Sequence, residues 1–196
     1  MPITIAGTGT ITGLSAGGLP DGCITTDDLA AGAATPAKLS QPLTLGTAVA
    51  TTSGTAIDFT GIPSWVKRVT VMFNGVSTNG TNDYLIQVGT SSGIVSSGYV
   101  STGNAYNQTA STGGLSSTAG FAISVGSGAY ALSGHMLLTT LGSNAWVSSH
   151  NLKSATNRVN TGGGDVTLSG TLTQVRLTTV GGTDTFDAGS VNIMYE

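Results

Sequence analysis

The sequence of 196 residues is poor in charged side chains. It has six Lys or Arg residues and nine Asp or Glu residues, and its formal net charge is −3. Only Lys67 and Arg68 are adjacent cations, so the clustered positive charge that displaces counterions from a nucleic-acid backbone is missing. We therefore expect no nucleic-acid partner.

Cysteine and long apolar runs are also scarce. The single cysteine, Cys23, excludes an intramolecular disulfide and has no Cys or His neighbours at zinc-site spacing. No apolar run approaches the roughly 18 residues that a transmembrane helix requires, and the N-terminus lacks the basic and apolar regions of a secretory signal. These absences predict a soluble protein that is made in a cytoplasm, without membrane insertion, and no cofactor is expected.

The scarcity of charge is extreme in the middle of the chain. From Tyr84 to Leu152, 69 consecutive residues include no Asp, Glu, Lys or Arg. Active sites usually contain perturbed carboxylates or lysines, whereas this stretch offers hydroxyl groups, amides and glycine. Such a surface suits packing against identical subunits or contact with neutral polar ligands such as glycans.

The motifs that might indicate an enzyme are weak. Gly13–Gly17 matches G-x-S-x-G, but no buried strand precedes its serine and no helix follows it. His135 and His150 lie in runs without a carboxylate to orient an imidazole, so each is interpreted as a satisfied histidine on a strand. We predict no catalytic residues and no enzymatic activity.

Three aspartates near the C-terminal end could in principle gather around Ca²⁺, which needs six to eight oxygen ligands. These are Asp165, Asp184 and Asp187. Because Asx turns explain such residues equally well, no metal site is predicted.

The chain is rich in small and hydroxylated residues, which lie in strand-like runs. The chain contains 30 Gly, 32 Thr and 22 Ser residues. Alternation with period two, as in Val69, Val71 and Phe73, favours strands over helices. Asn74-Gly75, Asn79-Gly80 and Gly162–Gly164 are predicted to form turns. The predicted strands are Thr55–Thr60, Val66–Phe73, Tyr84–Gly89, Ile94–Val100, Gly120–Val125, Gly134–Leu141, Ala145–Leu152, Asp165–Ser169, Thr173–Val180 and Ser190–Glu196.

These features predict an all-β protein with two regions. Residues 47–196 are expected to form a jelly-roll-like β-sandwich, and residues 1–46 an extended N-terminal anchor or stalk. The anchor holds a repeat of period ten whose copies resemble short helical turns. One turn is unstable alone, so Ile24, Leu29 and Leu39 are predicted to make anchor or trimer contacts. The alternative is a flexible leader.

Three segments resemble the C-terminal domain of tail fibre proteins of tailed bacteriophages and prophages. They are Gly61–Ser77, Leu85–Gly93 and Gly182–Glu196, and the leader with its I-T-T-x-x-L-A repeat is similar to fibre N-terminal regions. The resemblance implies a homotrimer located in the virion, anchored to another tail or capsid protein by its N-terminus and ending in a distal β-rich domain. Because 196 residues is short for a long fibre, a short fibre, a head fibre and a baseplate-associated protein all stay open.

Three functions follow as hypotheses. The first is a trimeric fibre that adsorbs to the host surface, and the second is a purely structural head fibre or capsid decoration protein. The third, a depolymerase, would need paired carboxylates, which the charge-free stretch does not supply.

A receptor site is predicted in the connection between the strands that end near Val100 and begin near Gly120. There Asn104, Tyr106, Asn107 and Gln108 offer amide donors beside an aromatic face, and long loops on a rigid sandwich often bind ligands. The expected ligand is a host surface glycan. The alternative interpretation is that these residues form a contact between subunits.

Overall fold

The computed structural model describes residues 40–107 and 110–196, and Gln41–Glu196 form one compact unit. The predicted contacts at Ile24, Leu29 and Leu39, and the site residue Gln108, lie outside the described residues. The described strands are β1 (Thr44–Leu45), β2 (Val49–Ala50), β3 (Ala56–Thr60), β4 (Arg68–Thr78), β5 (Tyr84–Thr90), β6 (Gly93–Ile94), β7 (Val100–Asn107), β8 (Ser111–Ser117), β9 (Phe121–Ile123), β10 (Leu132–Gly142), β11 (Ala145–Ser154), β12 (Arg158–Thr167), β13 (Gln174–Thr179) and β14 (Phe186–Tyr195).

The strands form two antiparallel sheets, and the predicted all-β sandwich is confirmed. Over the described ranges, the larger sheet has the order β1-β14-β4-β10-β11-β12-β7-β8, with β2 also paired to β14. The smaller sheet has the order β3-β13-β5-β6, with β9 paired to β5. The β-strands β10, β11 and β12 follow one another as hairpins, which places β7 and β8 at the far edge of the larger sheet.

One hydrophobic core lies between the sheets. The period-two alternation places Val69, Val71 and Phe73 of β4 on the inner side, as the sequence predicts, where all three are buried. Val175 and Leu177 face them from the smaller sheet and are fully buried. The other face of the larger sheet is therefore its outer face.

Two of the three predicted turns are wrong, because their glycines lie inside strands. Gly75 has the expected positive φ of 66°, but it sits in a bulge of β4, where the register with β10 and β14 shifts. Gly162–Gly164 run through the middle of β12 without a positive φ. Asn79-Gly80 does lie in the connection between β4 and β5.

The connection predicted between Val100 and Gly120 is also wrong, because it is a β-hairpin. β7 and β8 pair from Ser101 with Ser117 to Ala105 with Gly113.

The domain begins at Gln41 and includes Thr44–Leu45, which pair with Tyr195 and Met194. No helix in the described part of the chain is long and apolar enough to cross a membrane.

Candidate functional site

Of the predicted site residues, Asn104 and Tyr106 lie on the outer face of the larger sheet rather than in a loop. Asn104 and Tyr106 alternate in β7 with Gly103 and Ala105, which are buried on the inner side. Asn107 ends the strand, and its Oδ1 accepts a hydrogen bond of 2.9 Å from the amide of Ala110. Asn104 and Tyr106 are thus brought onto one surface, while Asn107 helps to shape the turn.

The outward side chains of β7, β8 and β12 form a continuous surface, which we call the β7 face. Its members are mostly hydroxyl, amide and small side chains, with a few apolar ones at the two ends. They are Val100, Thr102, Asn104 and Tyr106 of β7, Gly114 and Ser116 of β8, and Val159, Thr161, Gly163 and Asp165 of β12.

Strand register places these side chains in rows across the sheet. One row contains the direct pairing partners Thr161, Asn104 and Gly114, and the next row contains Gly163 and Thr102. From Val100 to Tyr106 the face extends about 20 Å at 3.3 Å per residue, and its three strands span about 10 Å. These dimensions suit an extended ligand that lies along the strands.

A cleft opens at the end of the β7 face that is near Val100. It has a volume of about 560 Å³, and Thr102, Ser116 and Gly163 contribute to its lining. This volume is within the usual range for small-molecule sites, about 300 to 1,000 Å³. Gly163 pairs with Thr102 of β7 on one side and with Ser149 of β11 on the other, and it has no side chain to fill the space between them. The cleft therefore has hydroxyl groups at its sides and an unfilled space over Gly163.

Asn104 and Tyr106 occupy the middle and far end of the face. The Oδ1 of Asn104 lies over Gly114, where it would be 2.6 Å from a Cβ added at that glycine. Tyr106 is 38% exposed and pairs across the strands with Val159, which is 43% exposed. An exposed aromatic ring beside amide and hydroxyl groups can bind the apolar side of a sugar while neighbouring groups bond its hydroxyls.

The electrostatics of the β7 face are nearly neutral. Asp165, at the Val100 end, is its one charged residue. The nearby cation Arg158 packs over the ring of Tyr130, 4.9 Å from the ring centroid, and belongs to the other side of β12. The face is therefore suited to an uncharged polar ligand.

Small residues beneath the β7 face hold the hairpin against the smaller sheet. Ser101 Oγ accepts a hydrogen bond of 2.8 Å from the amide of Ala122 and donates one of 3.3 Å to the carbonyl of Gly163. A Cβ added at Gly103 would be 2.8 Å from the carbonyl oxygen of Ala122. Close approach of β9 thus requires glycine at this position and keeps β7 rigid.

The two histidines have different environments. His135 is exposed on the outer face of β10. His150 is only 6% exposed, and among the described residues neither of its ring nitrogens has a hydrogen-bond partner. Burial lowers the pKa of His150 to about 4. The expectation of a satisfied histidine is therefore wrong for His150, which points inward and is held neutral in the sandwich.

The three candidate Ca²⁺ ligands do not come together. Asp184 accepts hydrogen bonds from the amide and the Nδ2 of Asn82, at 2.9 and 2.7 Å, and Asp187 accepts one of 2.5 Å from Ser77 Oγ. Asp165 lies on the β7 face. In residues 40–107 and 110–196, no three His, Cys, Asp or Glu side chains group as metal ligands would.

Comparison of the chain with known protein families, with curated proteins and with solved structures finds no match.

Proposed function

We propose that this chain is the subunit of a homotrimeric bacteriophage fibre that adsorbs to a glycan on the host surface. The N-terminal region that precedes Gln41 attaches the fibre to another protein of the virion, and the β-sandwich, which begins at Gln41, presents the β7 face. The observation that carries the proposal is this exposed and nearly neutral surface of hydroxyl, amide and aromatic groups.

The chemistry of the β7 face matches a neutral oligosaccharide. Thr102, Ser116 and Thr161 can donate to and accept from sugar hydroxyls, and the amide of Asn104 can do both at once. Tyr106 supplies an apolar surface for the C–H groups of a sugar ring. Hydrogen bonds at an exposed surface are individually weak, so the affinity for one site would be modest. Three copies in one fibre would raise it through multivalency.

The proposal is for binding rather than cleavage. A typical glycosidase uses two carboxylates on either side of the bond that it cleaves. On the β7 face, as far as the chain is described, Asp165 is a single carboxylate. A protein that only holds its glycan needs no general acid.

Virions that carry Tyr106→Ala test the adsorption role. Loss of the ring should slow adsorption to the bacterial host severalfold while particles assemble normally. Thr60→Ala is the matched control, because Thr60 is an exposed strand residue of the smaller sheet. Adsorption at the parental rate would contradict the proposed site, and loss of assembly would indicate a subunit contact instead.

The second candidate is a purely structural head fibre or capsid decoration protein. It is favoured by exposed apolar residues away from the β7 face, since Leu45 is 65% and Leu141 73% exposed, and such side chains suit permanent contacts. Imaging virions labelled with antibody against the β-sandwich separates the two. Label at the tail supports the adsorption fibre, and label over the capsid supports the structural component.

A further inference from the structure

The other half of the larger sheet's outer face carries a different surface, which we call the apolar groove. It lies over β14, β4 and β10 and has a volume of about 410 Å³. Its apolar lining consists of Leu43, Met72, Leu137 and Met194. The β7 face on the same sheet is mostly hydroxyl and amide, so the two halves of this face differ in chemistry.

We propose that the apolar groove is the surface on which a second copy of this chain packs. The inference builds on the homotrimer of the proposed function and names the part of the β-sandwich that makes the contact. Leu43 is 57% exposed, and Met72, Leu137 and Met194 are half-buried on the outer side of the larger sheet, away from the smaller sheet of the described residues. Single exposed apolar residues are ordinary, but a contiguous group of them marks an interaction surface.

Strand register makes the group contiguous. Thr70 of β4 pairs with Met194 on one side and with Leu137 on the other, and Met72 follows two residues along the same face. Leu43 lies beside them just before β1, which pairs with β14. Flexible methionines adapt to the irregular surface of a partner, so this group can accommodate side chains from another copy.

The charges at the groove also suit an identical partner. Arg68 and Glu196 line one end and form an ion pair with each other. Their charges are therefore balanced within one copy, and a second copy brings no uncompensated like charge against them. A partner of strong net charge, such as a nucleic acid, would gain little from such a surface.

The position of the groove in the chain favours a second copy of the chain as its occupant. The described domain begins beside the groove, because Gln41–Leu43 lead directly into β1. The residues that precede this point are those proposed to join the copies. The β7 face lies towards the opposite edge of the same sheet, so copies joined at this point would bring their grooves together rather than their β7 faces. The β7 faces thus remain free for the glycan.

Light scattering coupled to size exclusion tests the contact with the full chain at micromolar concentration. Leu137→Lys places a charge in the groove, and Thr60→Lys places one at an exposed strand position of the smaller sheet. Circular dichroism verifies that both variants fold. We expect the wild type and Thr60→Lys to be oligomeric, and we expect the Leu137→Lys oligomer to dissociate at protein concentrations at least tenfold higher than the wild type does.

Methionine oxidation gives a second readout on the unmodified protein. In the assembled wild type, peroxide should oxidise Met72 and Met194 several times more slowly than in Leu137→Lys. Met136 is fully buried in the core and should react slowly in both proteins.

An oligomeric wild type that is unaffected by Leu137→Lys, with Met72 and Met194 freely oxidised, would overturn the groove contact alone. The homotrimer of the proposed function would still stand. A monomeric wild type would overturn both the groove contact and the homotrimer.

Discussion

The stability of the β-sandwich should decrease in mild acid because of one buried side chain, His150. Its imidazole is only 6% exposed and has no hydrogen-bond partner among the described residues. Burial disfavours the charged form and lowers the pKa from 6.5 to about 4. The folded protein therefore keeps His150 neutral at pH values where an unfolded chain would protonate it.

The sign and size of the effect follow from this difference. Between pH 6.5 and 4 the unfolded state binds a proton that the folded state does not, so the free energy of unfolding falls as pH falls through this window. The contribution is fully present above pH 6.5. Since one pKa unit corresponds to about 1.4 kcal/mol, about 2 to 3 kcal/mol is lost by pH 4.5, and the loss levels off at about 3 kcal/mol below pH 4.

Urea denaturation at pH 7.5 and pH 4.5 measures this loss. Carboxylates also contribute to acid sensitivity, so the comparison is between variants. His150→Leu should lose about 2 to 3 kcal/mol less than the wild type over this interval, while His135→Gln, altered at an exposed histidine, should behave like the wild type. Equal losses in His150→Leu and the wild type would refute the assignment of a buried neutral imidazole.

Two further substitutions test the packing beneath the β7 face. Gly103→Ala should destabilise the fold by about 1 to 3 kcal/mol in thermal unfolding, because its Cβ would lie 2.8 Å from the carbonyl oxygen of Ala122. Gly113→Ala is the control and should change stability little, because its Cβ would lie 3.5 Å from the nearest atom, Ser124 Oγ. Tyr99→Phe should cost about 1 to 3 kcal/mol in urea denaturation, because the buried amide of Val88 loses the hydroxyl that accepts its hydrogen bond at 2.8 Å. Equal stability of the two glycine variants, or no loss in Tyr99→Phe, would contradict these packing assignments.

The sequence predicts those strands whose inner side chains are large. β4 and β13 show clear alternation because Val69, Val71, Val175 and Leu177 fill the core, and hydrophobic burial is what such a pattern records. Their boundaries differ from the prediction by a few residues, since bulges such as that at Gly75 extend β4 beyond the apolar run.

The hairpin of β7 and β8 was missed for the opposite reason. Its inward positions are Ser101, Gly103 and Ala105, which are small because β9 packs closely against them, so no apolar alternation appears. A usable signal was nevertheless present, because these small residues alternate with the larger polar residues Thr102 and Asn104. Alternation in side-chain size can therefore reveal a strand where alternation in hydropathy is absent.

The sequence predicts only part of the candidate site. It indicates Asn104 and Tyr106 as residues of a loop, whereas a strand places them on one outer face. It does not indicate Thr161 and Gly163, because only the pairing of β12 with β7 brings them to the same surface. Such long-range register cannot be read from local composition.

The most direct test of the account is binding of the purified protein to surface glycans of the bacterial host, measured by titration calorimetry. The wild type should bind a neutral oligosaccharide, and Thr102→Val and Tyr106→Ala should each weaken the affinity at least about fivefold, in line with a loss of about 1 kcal/mol. Thr60→Ala, on the smaller sheet, should bind like the wild type. Binding that is unchanged in both β7-face variants would contradict the assignment of the β7 face as the adsorption surface.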